Sequence, residues 1–238
     1  MIAPRIGAGA SYPCRAIIRE PWRWRLIARR TLAVELPQPY LVLGWAPLNG
    51  GFRRARVMLN HQVALDDRAA TEAPRAYLAH LARTLGYQPR DTVAMMTGAE
   101  MARLGTAKRA RDGLLARAWC SAGCSNALRV GDRATAATPL PGTINLIVAL
   151  DRSLSTAALA EALQIAVEAR VAAMMAAGVT SVRSRRPATG TGTDCVMIAA
   201  PASTSGAIQY CGKHTVAGEL IGRAAMRGCI RALARRTL

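Results

Sequence analysis

Short apolar runs separated by turn residues predict most of the strands along this chain. Two such runs, residues 40–48 and 55–63, flank the triplet Asn49-Gly50-Gly51. Asn-Gly readily adopts the positive φ of a tight turn, so the two runs are predicted to form a β-hairpin. Further strands are predicted at residues 22–27, 92–97, 114–122, 142–150 and 195–200, with a short one at 208–211.

Apolar residues at helical spacing predict three helices. The clearest begins at Ser155, ends at Gly178 and carries Leu159 and Leu163 on one face. Others are predicted at residues 71–86 and 215–234, the last with small residues on one face. Because strands and helices are mixed, we predict an α+β (mixed α/β) fold. Its sheet should be largely antiparallel or mixed, contain β-hairpins and be covered by helices.

The motif Pro37-Gln38-Pro39 is the clearest break in the chain. Residues 1–36 are predicted to be an N-terminal extension or peripheral element, to which we assign no function. Residues 37–238 are predicted to form a single domain. Within it, the charged segment 99–113 is expected at the surface.

Composition is typical of a globular protein with an unusually high charge. The chain has 238 residues, is 51% hydrophobic and carries a formal charge of +18. Such a charge can mark a polyanion partner. The basic residues are nevertheless spread along the chain, and aromatic residues make up only 4% of it. We therefore favour an arginine-rich composition over nucleic-acid binding.

Neither a membrane segment nor a metal motif stands out. No apolar stretch approaches the roughly 20 residues of a membrane span, and the N-terminal residues lack a continuous apolar leader. These features predict a cytoplasmic protein. The six cysteines form no CxxC pair and the three histidines form neither HxH nor HExxH, so we expect reduced thiols and no metal site. A site built from Asp194, Glu219 and His214 stays open.

Five short segments combine glycine with Asn, Thr, Ser or an acid. Glycine lets backbone amides approach a ligand closely, and Asn and Thr side chains supply donors and acceptors suited to an amide-rich substrate. The segments are residues 48–51, 125–131, 142–145, 189–194 and 212–222.

In this order, the five segments resemble the signature blocks of the adenosylcobinamide amidohydrolase family over residues 40–233. The most distinctive is Thr-Gly-Thr-Gly-Thr-Asp at 189–194, followed by the block at 212–222. Next is Ser125-Asn126-Ala127 with Arg129. The family's middle block often carries Thr-x-Gly before Ser-Asn-Ala, whereas residues 120–124 here read Cys-Ser-Ala-Gly-Cys. If a hydroxyl matters there, Ser121 must supply it.

The resemblance implies hydrolysis of the aminopropanol amide of adenosylcobinamide to adenosylcobyric acid, in corrinoid salvage or remodelling. The corrinoid is then a small-molecule substrate, and no resident cofactor is expected. A homo-oligomer is left open. The alternative is a non-catalytic corrinoid-binding or carrier protein that uses the same loops.

Amide hydrolysis needs an activated water or nucleophile, stabilisation of the oxyanion and protonation of the leaving amine. The resemblance therefore leads us to four candidates for proton transfer: Asp194, Glu168, His214 and Glu219. The candidates for substrate binding are Asn49, Gly50, Gly51, Ser125, Asn126, Arg129, Thr143, Asn145, Thr189, Thr191, Thr193 and Thr215.

Each candidate acid has a structural alternative. Asp194 could simply accept N–H bonds from its own loop, and Glu219 could complement the dipole of a helix. Glu168 and His214 could be solvated surface residues. The threonines of 189–193 are weaker candidates for a nucleophile, because no general base lies at a sequence spacing that indicates a catalytic pair. Asn126 and Asn145 are harder to dismiss, since Asn is disfavoured at a strand end without a partner.

Overall fold

The structure, a computed structural model, describes residues 19–64, 66–134 and 142–234. Its helices are α1 (Arg68–Glu72), α2 (Pro74–Thr84), α3 (Thr156–Ala176) and α4 (Val216–Leu233). Its strands are β1 (Arg23–Ile27), β2 (Thr31–Gly44), β3 (Gly51–Gln62), β4 (Thr92–Thr97), β5 (Gly105–Arg111), β6 (Leu114–Ala122), β7 (Ala127–Leu128), β8 (Ile144–Leu150), β9 (Gly190–Thr191) and β10 (Cys195–Pro201).

The main sheet is mixed, as the sequence predicts. Its strand order is β4-β3-β2-β10-β8-β6-β5, with β1 added alongside β2. The pairs β3–β4 and β8–β10 are parallel and the other pairs are antiparallel. The predicted fold class, a mixed sheet with hairpins covered by helices, is therefore confirmed.

Strand β2 bends in the middle and so belongs to two parts of the sheet. Its register with β3 shifts between Glu35 and Tyr40, across Pro37 and Pro39. Proline has no N–H to donate to a ladder, which explains the interruption. Before the shift β2 pairs with β1, and after it β2 pairs with β10. The division into 1–36 and 37–238 stays a prediction, although β2 crosses it.

The two parts of the sheet pack face to face around a central core. Met58 of β3 and Met95 of β4 share this core with Trp119 of β6 and Ile147 of β8. The next residue of β3, Leu59, points the opposite way and packs with α2. Alternate residues of β6, β8 and β10 likewise pack against α3 and α4. Two sheet layers therefore lie between two helical layers.

The three predicted helices are present, but the one predicted at 71–86 starts differently: Thr71 and Glu72 belong to the short helix α1, and α2 begins at Pro74 after a break at Ala73. Ser155 caps α3 by accepting a hydrogen bond from the amide of Ala158, at 3.1 Å. The small residues of α4 are buried against the sheet, and Gly105 of β5 contacts the backbone of α4 so closely that a Cβ atom would overlap it. None of the helices in the described ranges is long and apolar enough to cross a membrane.

Two segments differ from their predicted structure. Residues 99–113 contain β5, whose Gly105 and Ala107 are buried while its basic side chains face outward. The segment 208–211 contains no strand, and Ile208 makes only an isolated bridge with Leu154. For 99–113 the prediction gave only a surface position, which the exposed basic side chains of β5 fit, and the strand itself was not predicted. The error at 208–211 came from an apolar run too short to decide.

Candidate active site

Sheet topology brings three of the five polar segments to one edge. Because β6 and β8 are antiparallel, Ser121 near the end of β6 lies opposite Asn145 near the start of β8. Because β8 and β10 are parallel, Asn145 also lies beside Cys195, the first residue of β10. The loops containing residues 125–131, 142–143 and 189–194 therefore meet here.

Asp194 is the central anchor of this edge. Its Oδ2 atom accepts from Arg170 Nη1 at 2.7 Å and from the Thr191 amide at 2.9 Å. Its Oδ1 atom accepts from the Thr191 hydroxyl at 2.5 Å and from the Ile144 amide at 3.0 Å. Four donors occupy the four acceptor positions of the carboxylate. This arrangement favours the loop-anchoring alternative over a free general base.

Arg170 joins α3 to the same loop. Its Nη2 atom donates to the carbonyl oxygen of Thr189 at 3.1 Å, while its buried Nε atom has no protein partner in the described ranges. Sequence reasoning missed this residue. The sequence does contain a sign of its role: Arg170 lies on the same buried face of α3 as Ala162 and Ala166, where an unpaired arginine is rare.

Two threonine hydroxyls connect the starts of β8 and β10. Thr143 Oγ1 and Thr193 Oγ1 lie 2.7 Å apart, and Thr193 Oγ1 donates to the carbonyl oxygen of Gly142 at 3.1 Å. Since the one hydroxyl proton of Thr193 is used on Gly142, Thr143 is the donor to Thr193. The 142–145 and 189–194 segments are thus bonded to each other.

Asn126 presents a free carboxamide at this junction. The residue is only 5% exposed, yet neither Oδ1 nor Nδ2 has a partner among the residues that the structure describes. A Cβ atom built on Gly142 would lie 2.8 Å from Oδ1, and one built on Gly192 would lie 3.6 Å from Nδ2. A buried unsatisfied polar group costs about 1–3 kcal/mol, so hydrogen bonds to a ligand would stabilise this carboxamide. Neither atom is exposed and Asn126 lies behind Gly192 rather than in the cavity wall, so a ligand reaches it only when the loops around Gly142 and Gly192 move apart.

A buried amide network lies behind the junction. Asn145 Nδ2 donates to Asn60 Oδ1 at 2.9 Å and to the Met96 carbonyl oxygen at 2.8 Å. Asn60 Nδ2 in turn donates to Ser121 Oγ at 2.9 Å. Ser121 lies in the segment where the family often carries Thr-x-Gly, and this hydrogen bond holds its hydroxyl in place. Asn60 was not among the sequence candidates because it lies within β3, away from any polar loop.

A cavity of about 350 Å³ opens beside the anchored loop. The short pair β7–β9 forms part of its wall, and the Thr189 hydroxyl fixes this wall by accepting from the Val130 amide at 2.8 Å. Arg129 Nη1 donates to the Pro187 carbonyl oxygen at 2.9 Å. The cavity is lined by Leu128, Arg129, Val130, Arg170, Thr189, Gly190, Thr191, Gly192 and Asp194.

Two thiols near this edge, those of Cys195 and Cys120, are not activated nucleophiles. Burial raises the pKa of Cys195, next to Asp194, to about 12. The pKa of Cys120 is also raised well above its ordinary value, by its hydrogen bond with Cys229 and by burial. Both are therefore neutral thiols near pH 7, when nucleophilic attack requires the thiolate.

The Asn49 side chain points away from the amide network, although Gly51 of the same turn pairs with Gly44, next to Trp45 at the border of the site. Asn49 has a φ of 56° and donates to the carbonyl oxygens of Pro89 and Thr92, at 2.7 and 2.8 Å. Thr92 begins β4, whereas the amide network contacts Met96 near its end, roughly 13 Å along an extended strand. Asn49, Gly50 and Gly51 form the hairpin connection instead.

Three candidate acids and bases lie on the α3–α4 face, outside the cavity beside Asp194. Glu168 pairs with Lys213 at 2.6 Å, and this contact lowers the pKa of Glu168. Glu219 pairs with Arg111 and Arg223. His214 is exposed near the start of α4.

Thr215 is the N-cap residue of α4, its hydroxyl accepting from the Gly218 amide at 3.0 Å. Glu168 and Glu219 line a separate cleft of about 290 Å³ between α3 and α4. Within the described part of the chain, no three His, Cys, Asp or Glu residues come together as a metal site would need.

Comparison with known proteins gives a family. A family model described as adenosylcobinamide amidohydrolase matches residues 20–237. A Halobacterium salinarum protein named adenosylcobinamide amidohydrolase is 31% identical over 216 residues, covering 86% of this chain and 83% of that protein. An uncharacterized protein of Methanocaldococcus jannaschii is 27% identical over 223 residues, covering 86% of each chain.

Among solved structures, a beta-aminopeptidase of a Burkholderia species has a TM-score of 0.49 and 14% identity, covering 87% of this chain and 79% of its own. A likeness this distant carries no functional inference. The family match and the Halobacterium relative cover most of the chain, including the edge where the polar loops meet. The chain therefore belongs to the adenosylcobinamide amidohydrolase family, a family of C–N hydrolases.

Proposed function

We propose that this protein hydrolyses the amide that joins aminopropanol to adenosylcobinamide, and that the corrinoid product is adenosylcobyric acid. Family membership supports amide hydrolysis on this class of substrate. The observation that carries the proposal is Asn126, whose buried carboxamide lacks protein partners at the meeting point of three polar loops. Water adds to the carbonyl carbon, the C–N bond breaks, and aminopropanol leaves with the proton.

The carboxamide of Asn126 can bind the carbonyl side of a secondary amide through its Nδ2 atom, which donates to the substrate carbonyl oxygen. The N–H of a trans amide points away from that oxygen, so Oδ1 does not pair with the same amide bond. As water attacks, the carbonyl oxygen gains negative charge, and a fixed donor at that point stabilises the transition state. Removing one such donor typically lowers kcat by about 10²–10³-fold.

In this proposal the remaining polar residues hold the site in shape. Asp194 and Arg170 fix the 189–194 loop, and the hydroxyls of Thr143 and Thr193 fix it against β8. Gly142 and Gly192 let their loop backbones lie directly against the carboxamide of Asn126, since a side chain at Gly142 would crowd Oδ1. Asp194 is thus a positioning residue.

The test is an assay of both products. Purified protein is incubated with adenosylcobinamide, aminopropanol is quantified after derivatisation, and the corrinoid is identified by chromatography and mass spectrometry. The wild-type protein should release the two products in equal amounts. Asn126→Ala should lower kcat by roughly 10²–10³-fold. Asn49→Gly, which changes an Asn that the structure places in the hairpin turn, should leave kcat within about twofold of wild type.

Two results would contradict the proposal. Release of aminopropanol no faster than in an enzyme-free control, by a folded protein, would favour the carrier alternative if the corrinoid still binds. Wild-type turnover by Asn126→Ala would show that hydrolysis takes place without this carboxamide.

A further inference from the structure

Trp45 lies at the border of the candidate active site with much of its side chain uncovered. The residue is 48% exposed, and its indole Nε1 atom donates to the backbone carbonyl oxygen of Asp194 at 2.6 Å. The polar edge of the ring is therefore satisfied and fixed, while much of the ring remains open to solvent. Asp194 anchors the loop that lines the 350 Å³ cavity, so Trp45 is attached directly to that loop.

The only phenylalanine of the chain lies close to Trp45. Trp45 follows Gly44, which pairs with Gly51 at the end of the β2–β3 hairpin, and Phe52 is the next residue on the facing strand. This register puts Trp45 and Phe52 near the same end of the hairpin, although their rings are not in direct contact. Phe52 is 47% exposed. In a chain with only 4% aromatic residues, two exposed aromatic side chains at one end of a hairpin are unusual and offer apolar area to a ligand.

Glycine at position 44 makes this placement possible. A Cβ atom built on Gly44 would overlap the carbonyl oxygen of Val196 in β10. The absence of a side chain at Gly44 lets β2 lie close to β10, which begins directly after Asp194. Because Trp45 follows Gly44, it lies beside Asp194 at the border of the site.

The cavity beside Asp194 is too small for a whole corrinoid. A volume of about 350 Å³ is at the lower end of the range of ~300–1,000 Å³ for sites that hold drug-sized ligands, and a corrinoid is larger than these. Only the side chain with the scissile amide fits inside. The flat, conjugated part of the molecule must then stay outside and contact the border of the cavity.

We propose that Trp45, together with Phe52, binds the flat conjugated part of the corrinoid substrate and so directs the pendant amide into the cavity. This inference rests on the proposed function and identifies a positioning surface for it. An indole ring held by its N–H offers a rigid apolar face at little conformational cost, which suits stacking on a conjugated plane. The conjugated plane is the corrin macrocycle or the adenine of the adenosyl group.

The experiment measures corrinoid affinity separately from turnover. Kd is determined by equilibrium dialysis with adenosylcobyric acid, which has no aminopropanol amide to lose, and kcat and KM are measured with adenosylcobinamide. Trp45→Ala should raise both Kd and KM about tenfold while kcat stays within about twofold. Trp45→Phe, which keeps an aromatic face but loses the N–H, should stay within about threefold of wild type. Tyr210→Ala, which removes an aromatic that is 71% exposed in the segment before α4, should bind like wild type.

Repeating the dialysis with the dicyano form of cobyric acid, which lacks the adenosyl group, identifies the contacted plane. An equal loss of affinity for both ligands assigns the contact to the macrocycle. A loss seen only with the adenosyl form assigns it to adenine.

Wild-type affinity in Trp45→Ala would overturn the inference. A Trp45→Phe variant as weak as Trp45→Ala would also overturn it, because the indole N–H bond to Asp194 rather than the ring face would then be responsible. These outcomes are separate from the proposed reaction. A protein that hydrolyses adenosylcobinamide without needing Trp45 retains the proposed function, whereas one that binds corrinoid through Trp45 but releases no aminopropanol retains only the binding surface.

Discussion

Asp194→Asn tests whether this carboxylate is a structural anchor. The side chains of Asp194 and Arg170 are 7% and 10% exposed, and their charged atoms lie 2.7 Å apart. Asparagine cannot neutralise Arg170, and its NH₂ group cannot accept from the donors that Oδ2 now satisfies. Removing one partner of a buried ion pair costs about 3–5 kcal/mol, so the free energy of unfolding should fall by about that amount.

Urea denaturation followed by circular dichroism measures this loss. For a chain of this size each kcal/mol lowers Tm by about 2–4 °C, so Tm should fall by roughly 6–20 °C. Asp112→Asn is the matched control, because Asp112 and its partner Arg111 are largely exposed, and it should cost less than about 1 kcal/mol. Adding Arg170→Met to Asp194→Asn should restore part of the stability, since the unpaired buried cation is then gone.

The opposite pattern would refute the anchoring role. If Asp194→Asn unfolds within roughly 0.5 kcal/mol of wild type, the range of surface substitutions, its four hydrogen bonds contribute little to folding. Loss of turnover with unchanged stability and corrinoid affinity would instead identify Asp194 as a general base.

Two further predictions concern stability. Burial and the charge of Arg30 lower the pKa of His61 from 6.5 to about 4. The unfolded chain therefore takes up a proton first as pH falls, and the native state should lose up to about 3 kcal/mol between pH 7 and pH 4. Urea titrations at pH 7 and pH 4 measure this loss in the free energy of unfolding. The loss should be smaller in His61→Gln than in wild type, and unchanged in His80→Gln, an exposed control. The same pH dependence in His61→Gln and wild type would contradict the prediction. Gly105→Ala should destabilise by at least about 2 kcal/mol, because its Cβ would overlap backbone of α4. Gly222→Ala, which meets only one side chain at 3.4 Å, should be neutral or stabilising in the same assay.

Strands with clear local signals were predicted well, and strands with mixed signals were not. The Asn49-Gly50 turn and the apolar runs around it correctly indicated the β2–β3 hairpin. Strand β5 was not predicted, because Lys108, Arg109 and Arg111 are equally typical of a solvated surface segment. Charged side chains on an edge strand are common, since they discourage pairing with other chains, and only the pairing with β6 distinguishes the two cases.

The site could be predicted only in part, for a similar reason. Asparagines at strand ends, such as Asn126 and Asn145, can be recognised locally because Asn is otherwise unfavourable there. Arg170 lies inside a helix and Asn60 inside a strand, so their roles follow only from the contacts of α3 and β3. Glu168 and Glu219 were candidates because amide hydrolysis needs a proton-transfer group, and the structure pairs both with basic side chains on another face.

A crystal structure with adenosylcobyric acid bound tests the location of the reaction most directly. The carboxylate of this ligand is the former carbonyl end of the scissile amide. We expect one of its oxygens to lie roughly 3 Å from Nδ2 of Asn126, with the rest of the corrinoid outside the cavity. A carboxylate bound instead in the cleft between α3 and α4, beside Glu168 and Glu219, would contradict this assignment.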